Sequence, residues 1–168
     1  MAGGIFSKLM QTARRKSPWI YRVNGGSCNG CDIEIGPCFS PRYDAEQVGA
    51  VLQGSPKHAD ILLITGPVTL RTRDAIVDIY NQIPNPKAVV ALGSCPASGN
   101  VFAGSPTVVV GAAEAVVPVD IYVPGCPPRP QAIIEGIQQA ARLLAEGKTR
   151  SQLEPPRPRP VAREVSHE

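Results

Sequence analysis

Histidine is nearly absent from this chain, acids are absent from its first 22 positions, and no run of eighteen apolar residues occurs in its 168. The two histidines, His58 and His167, lie beside a strand start and in a proline-rich end, so neither is placed to serve as the base of a catalytic thiol. "GGSCNG" is not Gly-x-Gly-x-x-Gly and no Walker A sequence is present, which argues against the common nucleotide-binding loops. The basic termini lack interleaved aromatics, so nucleic acid is not an expected partner. Without a long apolar run, or an apolar signal core and cleavage site in the first twenty residues, the chain is expected neither to span a membrane nor to be exported. That places its five cysteines in a reducing cytoplasm, where metal ligation or buried thiols are commoner than a disulfide framework.

The net charge of +3 is unevenly spread. Residues 1–22 hold five basic side chains, residues 148–168 hold five basic against three acidic, and the stretch between holds seven basic against eleven acidic. Basic ends on a mildly acidic body suit docking to anionic partners or lipid headgroups, or are merely solvated. Ile5, Phe6, Leu9, Met10 and Ala13 recur at helical spacing opposite Lys8, Gln11, Thr12 and the Arg14-Arg15-Lys16 run. The expectation is an amphipathic docking helix over 1–16, too short to stand alone. Residues 148–168, with four prolines and little that is apolar, read as a tail, disordered or extended along a neighbour.

Between these ends, strand and helix signals alternate. Trp19, Tyr21 and Val23 alternate with Ile20 and Arg22, the period of a strand, which runs into Gly25-Gly26. "ADILLIT" (59–65), "AVVALG" (88–93) and "VDIYVPG" (119–125) each read as a strand buried on both faces. "LRTRDAIVDIYNQI" (70–83) and "PRPQAIIEGIQQAARLLAEG" (128–147) carry the apolar stripe of a helix, and Asp44 in "PRYDAEQVG" reads as the opening of another. The simplest architecture is an α/β parallel sheet with crossover helices over 17–147. Ligands of such sheets lie beyond the carboxyl ends of the strands. Cys28 and Cys31 follow the first strand, Cys95 follows "AVVALGS" and Cys126 follows "VDIYVPG", so four thiols from three strand ends are expected at one rim.

A C-x-x-C pair with two distant cysteines can hold zinc, an iron-sulfur cluster or a redox dithiol. Structural zinc generally takes two C-x-x-C knuckles, whereas Cys95 and Cys126 stand alone. Ligands spread over three loops suit a larger inorganic core, and Gly25, Gly26, Gly30, Gly93, Gly99 and Gly125 permit close backbone approach. Spacing therefore favours a cluster over zinc, and zinc over structural thiols. Cys38 falls outside the scheme and reads as a small buried hydrophobe.

"GGSCNGCDIEI", "PRYDAEQVG", "SPKHADILLITGPVT", "NPKAVVALGSCPASGNVF" and "VDIYVPGCPPRPQAIIEGI" together resemble the small iron-sulfur subunit of energy-converting membrane-bound nickel-iron hydrogenases. That family is homologous to the 20 kDa subunit of respiratory complex I. The resemblance covers about residues 17–146 and implies a flavodoxin-like fold, with helices on both faces of the sheet and one 4Fe-4S cluster on Cys28, Cys31, Cys95 and Cys126. It implies a relay between upstream iron-sulfur carriers and a nickel-iron centre in a large catalytic partner, alongside ferredoxin-like and membrane-embedded subunits, on the cytoplasmic side of the cell membrane. Complex I members use adjacent cysteines, whereas C-N-G-C-D-I-E resembles the hydrogenase and sulfane-sulfur-reductase branch. Quinone reduction and sulfane-sulfur reduction remain the alternative partner chemistries. Glu34 matches the family's C-x-x-E and is the candidate for proton transfer, its plainer role being to accept hydrogen bonds that shape the loop. Asp32 is expected to cap the helix that starts here.

Overall fold

The apolar runs at 61–65 and 88–92 contain no position that tolerates water, so they must be central strands covered on both sides. In the computed structural model, which describes residues 9, 12, 13, 15–109 and 112–150, they are β3 (Ile61–Thr65) and β4 (Ala88–Leu92), each buried at every position. Three further strands complete the sheet: β1 (Trp19–Asn24), β2 (Val51–Leu52) and β5 (Ile121–Val123), in the order β2-β1-β3-β4-β5 with every pairing parallel. This is the flavodoxin-like strand order, with helices on both faces.

Alternate residues of the central strands feed two separate cores. Leu63, Val90 and Leu92 face α1 (Gly30–Cys38) and α4 (Pro130–Glu146), meeting Ile35, Ile133, Ile137 and Leu144. Leu62, Ile64 and Val89 face α2 (Arg73–Gln82), meeting Ile76, Val77 and Tyr80. Burying such a side chain is worth roughly 1.5–3 kcal/mol, so the two faces hold the strand ends in place. Close approach of α4 to β5 needs Gly136, where a Cβ would stand 2.4 Å from Val123 Cγ2.

Two expectations change. The stretch 119–125 is not buried on both faces: β5 is an edge strand, and Tyr122 is exposed, its hydroxyl donating to Glu114 at 2.6 Å. Asp44 opens only a 3-10 turn (Ala45–Val48) and makes no side-chain cap. Of the amphipathic segment 1–16, the residues at 9, 12, 13, 15 and 16 are helical and the others lie outside the described residues. The tail reading lies outside them from 151 onward, but Thr149 is fully buried and the Arg150 backbone donates to Asp120 at 2.7 Å. No helix among the described residues is long and apolar enough to cross a membrane.

Candidate metal centre

All four candidate thiols emerge where their strands end. Cys28 lies between β1 and α1, and Cys31 is in the first turn of α1. Cys95 is in α3 (Ser94–Ser98), directly after β4, and Cys126 follows β5. The β4 and β5 loops are tied together by Gly93 N donating to Val123 O and Ser94 N to Gly125 O, both at 2.8 Å. All five cysteines are free: Cys31 and Cys38 are buried, Cys95 is half-buried, and Cys28 and Cys126 are exposed.

The four thiols share one electrostatic environment. Burial pushes the Cys31 thiol up to about 11, and charge on Cys95, Cys28, Asp32 and Cys126 would push it the same way. Cys95 is also raised, first by burial, with a hydrogen bond from Asn100 opposing and the charges of Cys126 and Cys28 reinforcing. Cys31 and Cys95 therefore favour the protonated thiol, and ligation to a metal core would reverse that, since a coordinating thiol is deprotonated outright. Gly93, at φ 98°, leaves the space this needs, since a Cβ there would lie 2.7 Å from Cys31 Sγ. Thiols are the donors that a sulfur-ligated core takes, and Gly93 leaves clearance beside Cys31. Among the described residues, no three His, Cys, Asp or Glu side chains form a group that could hold a metal ion.

The acids between the cysteines divide. Asp32 does not cap α1: the capping position is Asn29, at φ 68° and without a side-chain cap bond. Its carboxylate instead turns back to the strand ends, accepting from Ser27 Oγ at 2.6 Å, Asn24 Nδ2 at 2.9 Å and Thr65 Oγ1 at 3.1 Å. Arg22 Nη1 pairs with it at 3.1 Å, the Asp32 side chain being only 9% exposed. Glu34 is half-buried, and among the described residues nothing hydrogen-bonds to its carboxylate; the loop-shaping expected of it falls to Asp32. Cys38 is fully buried where α1 meets α4, its thiol donating to Glu34 O at 3.3 Å and reaching Pro130 O at 3.6 Å.

Two residues of this site have no place in the sequence reading. Asn100 reaches two thiols, with Nδ2 3.6 Å from Cys126 Sγ and 3.9 Å from Cys95 Sγ. Thr65, fully buried at the end of β3, bonds Asp32 across thirty-three positions. For Asn100 the signal was local, an Asn directly after Gly in a tight turn that follows α3; for Thr65 it was only a polar residue ending an apolar run.

Residues 28–140 match the family described as "NADH ubiquinone oxidoreductase, 20 Kd subunit". The chain belongs to that family. It is 53% identical over 131 residues to the probable membrane-bound hydrogenase subunit mbhJ of Pyrococcus furiosus, covering 78% of each protein. It is 43% identical to formate hydrogenlyase subunit 7 of Escherichia coli, covering 79% of this chain and 51% of that one. A solved membrane-bound sulfane sulfur reductase, an archaeal respiratory membrane complex, contains a chain that superimposes with a TM-score of 0.73 at 37% identity, covering 84% of this chain and 77% of that one. The α/β fold is shared further, with an NAD+-reducing [NiFe]-hydrogenase chain at TM-score 0.55 and 22% identity, covering 88% of this chain and 98% of that one. This 20 kDa family thus spans hydrogenase and quinone-oxidoreductase subunits, and 37% identity to subunit K 1 of an Acaryochloris marina NAD(P)H-quinone oxidoreductase represents the second group.

Proposed function

We propose that the chain is the electron-transfer subunit of a membrane-bound hydrogenase complex, holding one 4Fe-4S cluster on Cys28, Cys31, Cys95 and Cys126. It stands beside the large catalytic subunit and relays electrons between upstream iron-sulfur carriers and that subunit's nickel-iron site. What supports this reading is that the four cysteines are free and follow three strand ends, and that charge on Cys28, Cys95 and Cys126 would act on Cys31. Resemblance to a hydrogenase subunit over most of both chains supports the choice of complex. When bound, the cluster supplies a one-electron redox centre.

What the chain's own residues do is hold and shield. Cys31 enters from the buried side, and the Asp32 network fixes the turn that presents Cys28 and Cys31. Cys28 and Cys126 remain exposed, so a partner must exclude water over them. Ile33, Leu70, Val101 and Phe102, on segments that follow β1, β3 and β4, are large apolar side chains left exposed, which supports docking of the large subunit on this side. Glu34, uncommitted to the loop's hydrogen bonds, is the candidate for moving a proton beside the site. The basic segment 1–16 and the tail would dock against membrane-embedded and ferredoxin-like subunits on the cytoplasmic side. The sulfane-sulfur-reductase likeness favours a second reading, the same relay beside a partner of different chemistry.

The test is iron, zinc and nickel content of the purified complex, with reduced-state EPR. Iron with a reducible cluster signal is expected, lost on changing any of the four ligands to Ser and kept in Cys38→Ser. Stoichiometric zinc without iron refutes the relay, and nickel in the partner separates hydrogenase from the quinone and sulfur alternatives.

A further inference from the structure

Among the described residues, Asn100 is an uncharged donor that reaches two of the four candidate thiols, Cys95 and Cys126. Its Nδ2 lies 3.6 Å from Cys126 Sγ and 3.9 Å from Cys95 Sγ, sulfurs delivered by two different strand ends. A primary amide carries two N–H donors and can serve both, and sulfurs that act as thiolates only accept, so the NH₂ end must face them. The backbone is built to aim it. Asn100 sits at φ 48°, a left-handed conformation that Asn tolerates better than most side chains, immediately after Gly99 at φ 82°. Gly99 N donates to Cys95 O at 2.7 Å and Phe102 N to Gly99 O at 3.0 Å, so the turn that presents the amide is anchored to the ligand's own backbone.

We infer that Asn100 is a tuning residue, whose amide donates hydrogen bonds to the Cys95 and Cys126 sulfurs and thereby favours the reduced form of the centre they hold. The inference rests on the reading that these thiols bind a cluster. Reduction adds one negative charge to the core, and that charge is shared with the ligand sulfurs. Donors on those sulfurs stabilise the more negative state more than the less negative one, which raises the reduction potential. The effect reaches two of four ligands from a single side chain, so its removal should be visible while the ligands themselves are untouched.

The experiment is a potentiometric EPR titration of the complex carrying Asn100→Gly and Asn100→Asp, with iron counted in each. Glycine removes the amide yet suits the left-handed backbone; aspartate keeps the shape and replaces the donor by a carboxylate. Asn100→Gly is expected to leave iron unchanged and make the reduced-to-oxidised ratio about tenfold smaller at a given potential, a fall of about 59 mV for a one-electron couple. Asn100→Asp should fall further. Wild-type midpoints in both iron-replete variants overturn the tuning role alone, and so does loss of iron from both, which would make Asn100 a residue of assembly. Absence of iron from the wild-type complex overturns the cluster reading and this inference together.

Discussion

Replacing Asp32 tests whether one carboxylate holds the near half of the site in place. It accepts from Ser27 Oγ, Asn24 Nδ2 and Thr65 Oγ1 at 2.6–3.1 Å and pairs with Arg22. Hydrogen bonds to a charged group are worth about 1.5–3 kcal/mol each, which would put three above about 4 kcal/mol if nothing replaced them. The donors do have fallbacks. Thr65 Oγ1 also reaches Val23 O at 3.4 Å, Asn24 Nδ2 reaches Asn29 Oδ1 at 3.2 Å, and Arg22, 44% exposed, can return to water. The expected cost of Asp32→Ala is therefore about 2–4 kcal/mol, and of Asp32→Asn about half that, since the amide keeps one acceptor oxygen. At roughly 2–4 °C per kcal/mol for a chain of this size, Asp32→Ala lowers Tm by about 4–16 °C. Arg22→Met, removing the exposed partner, should cost less than about 1 kcal/mol. Thermal and urea unfolding of the full-length chain measures all three. A loss below about 0.5 kcal/mol for Asp32→Ala, or an equal loss for Arg22→Met, would refute the claim that the carboxylate organises the turn through its neutral donors.

Burial pushes Cys38 up to about 11 from an ordinary 9.0, with the Glu34 charge adding to it, so the folded state keeps a proton that the unfolded chain releases. The stability this confers is complete below pH 9 and disappears as pH rises from 9 to 11, about 2–3 kcal/mol at most; a pH series of urea midpoints on wild type and Cys38→Ala reads it as a difference that closes in that window. Gly93→Ala places a Cβ against Cys31 Sγ at a positive φ, and iron occupancy should fall severalfold even where the fold survives in circular dichroism; full occupancy would show that Cys31 has slack. Glu34→Gln should alter turnover or its pH profile in a complex with undiminished iron, and an unchanged profile rejects a proton role.

Most of the sheet was legible because its strands are extreme cases. "ILLIT" and "AVVAL" are apolar at nearly every position, a pattern that a half-exposed strand cannot carry. β5 was misread because an edge strand of three residues differs from a central one only at Tyr122, where an aromatic serves both purposes. β2, two residues long, lies below what periodicity can detect. The first helix left a faint trace: Gly36 and Pro37 interrupt its propensity, and its buried set is only Cys31, Ile35 and Cys38. Those three are spaced i, i+4 and i+7, a helical face written partly in cysteine. Reading that spacing as structure would have assigned Cys38 directly to the α1–α4 seam. The far contacts of the site were beyond reach for another reason. Asn100 with Cys126, and Asp32 with Thr65, join residues 26 and 33 positions apart, and only the strand order brings them together.

That same helix decides why the two acids of "CDIEI" cannot share a role. Two residues apart on an α-helix are about 200° apart around its axis, so Asp32 and Glu34 must face different surroundings. Asp32 faces β1 and β3, where its carboxylate is engaged by three neutral donors and Arg22. Glu34 lies on another side, where its main-chain oxygen holds Cys38 while its carboxylate makes no hydrogen bond among the described residues. The fold has separated an acid tied into the loop from one whose carboxylate makes no hydrogen bond among the described residues.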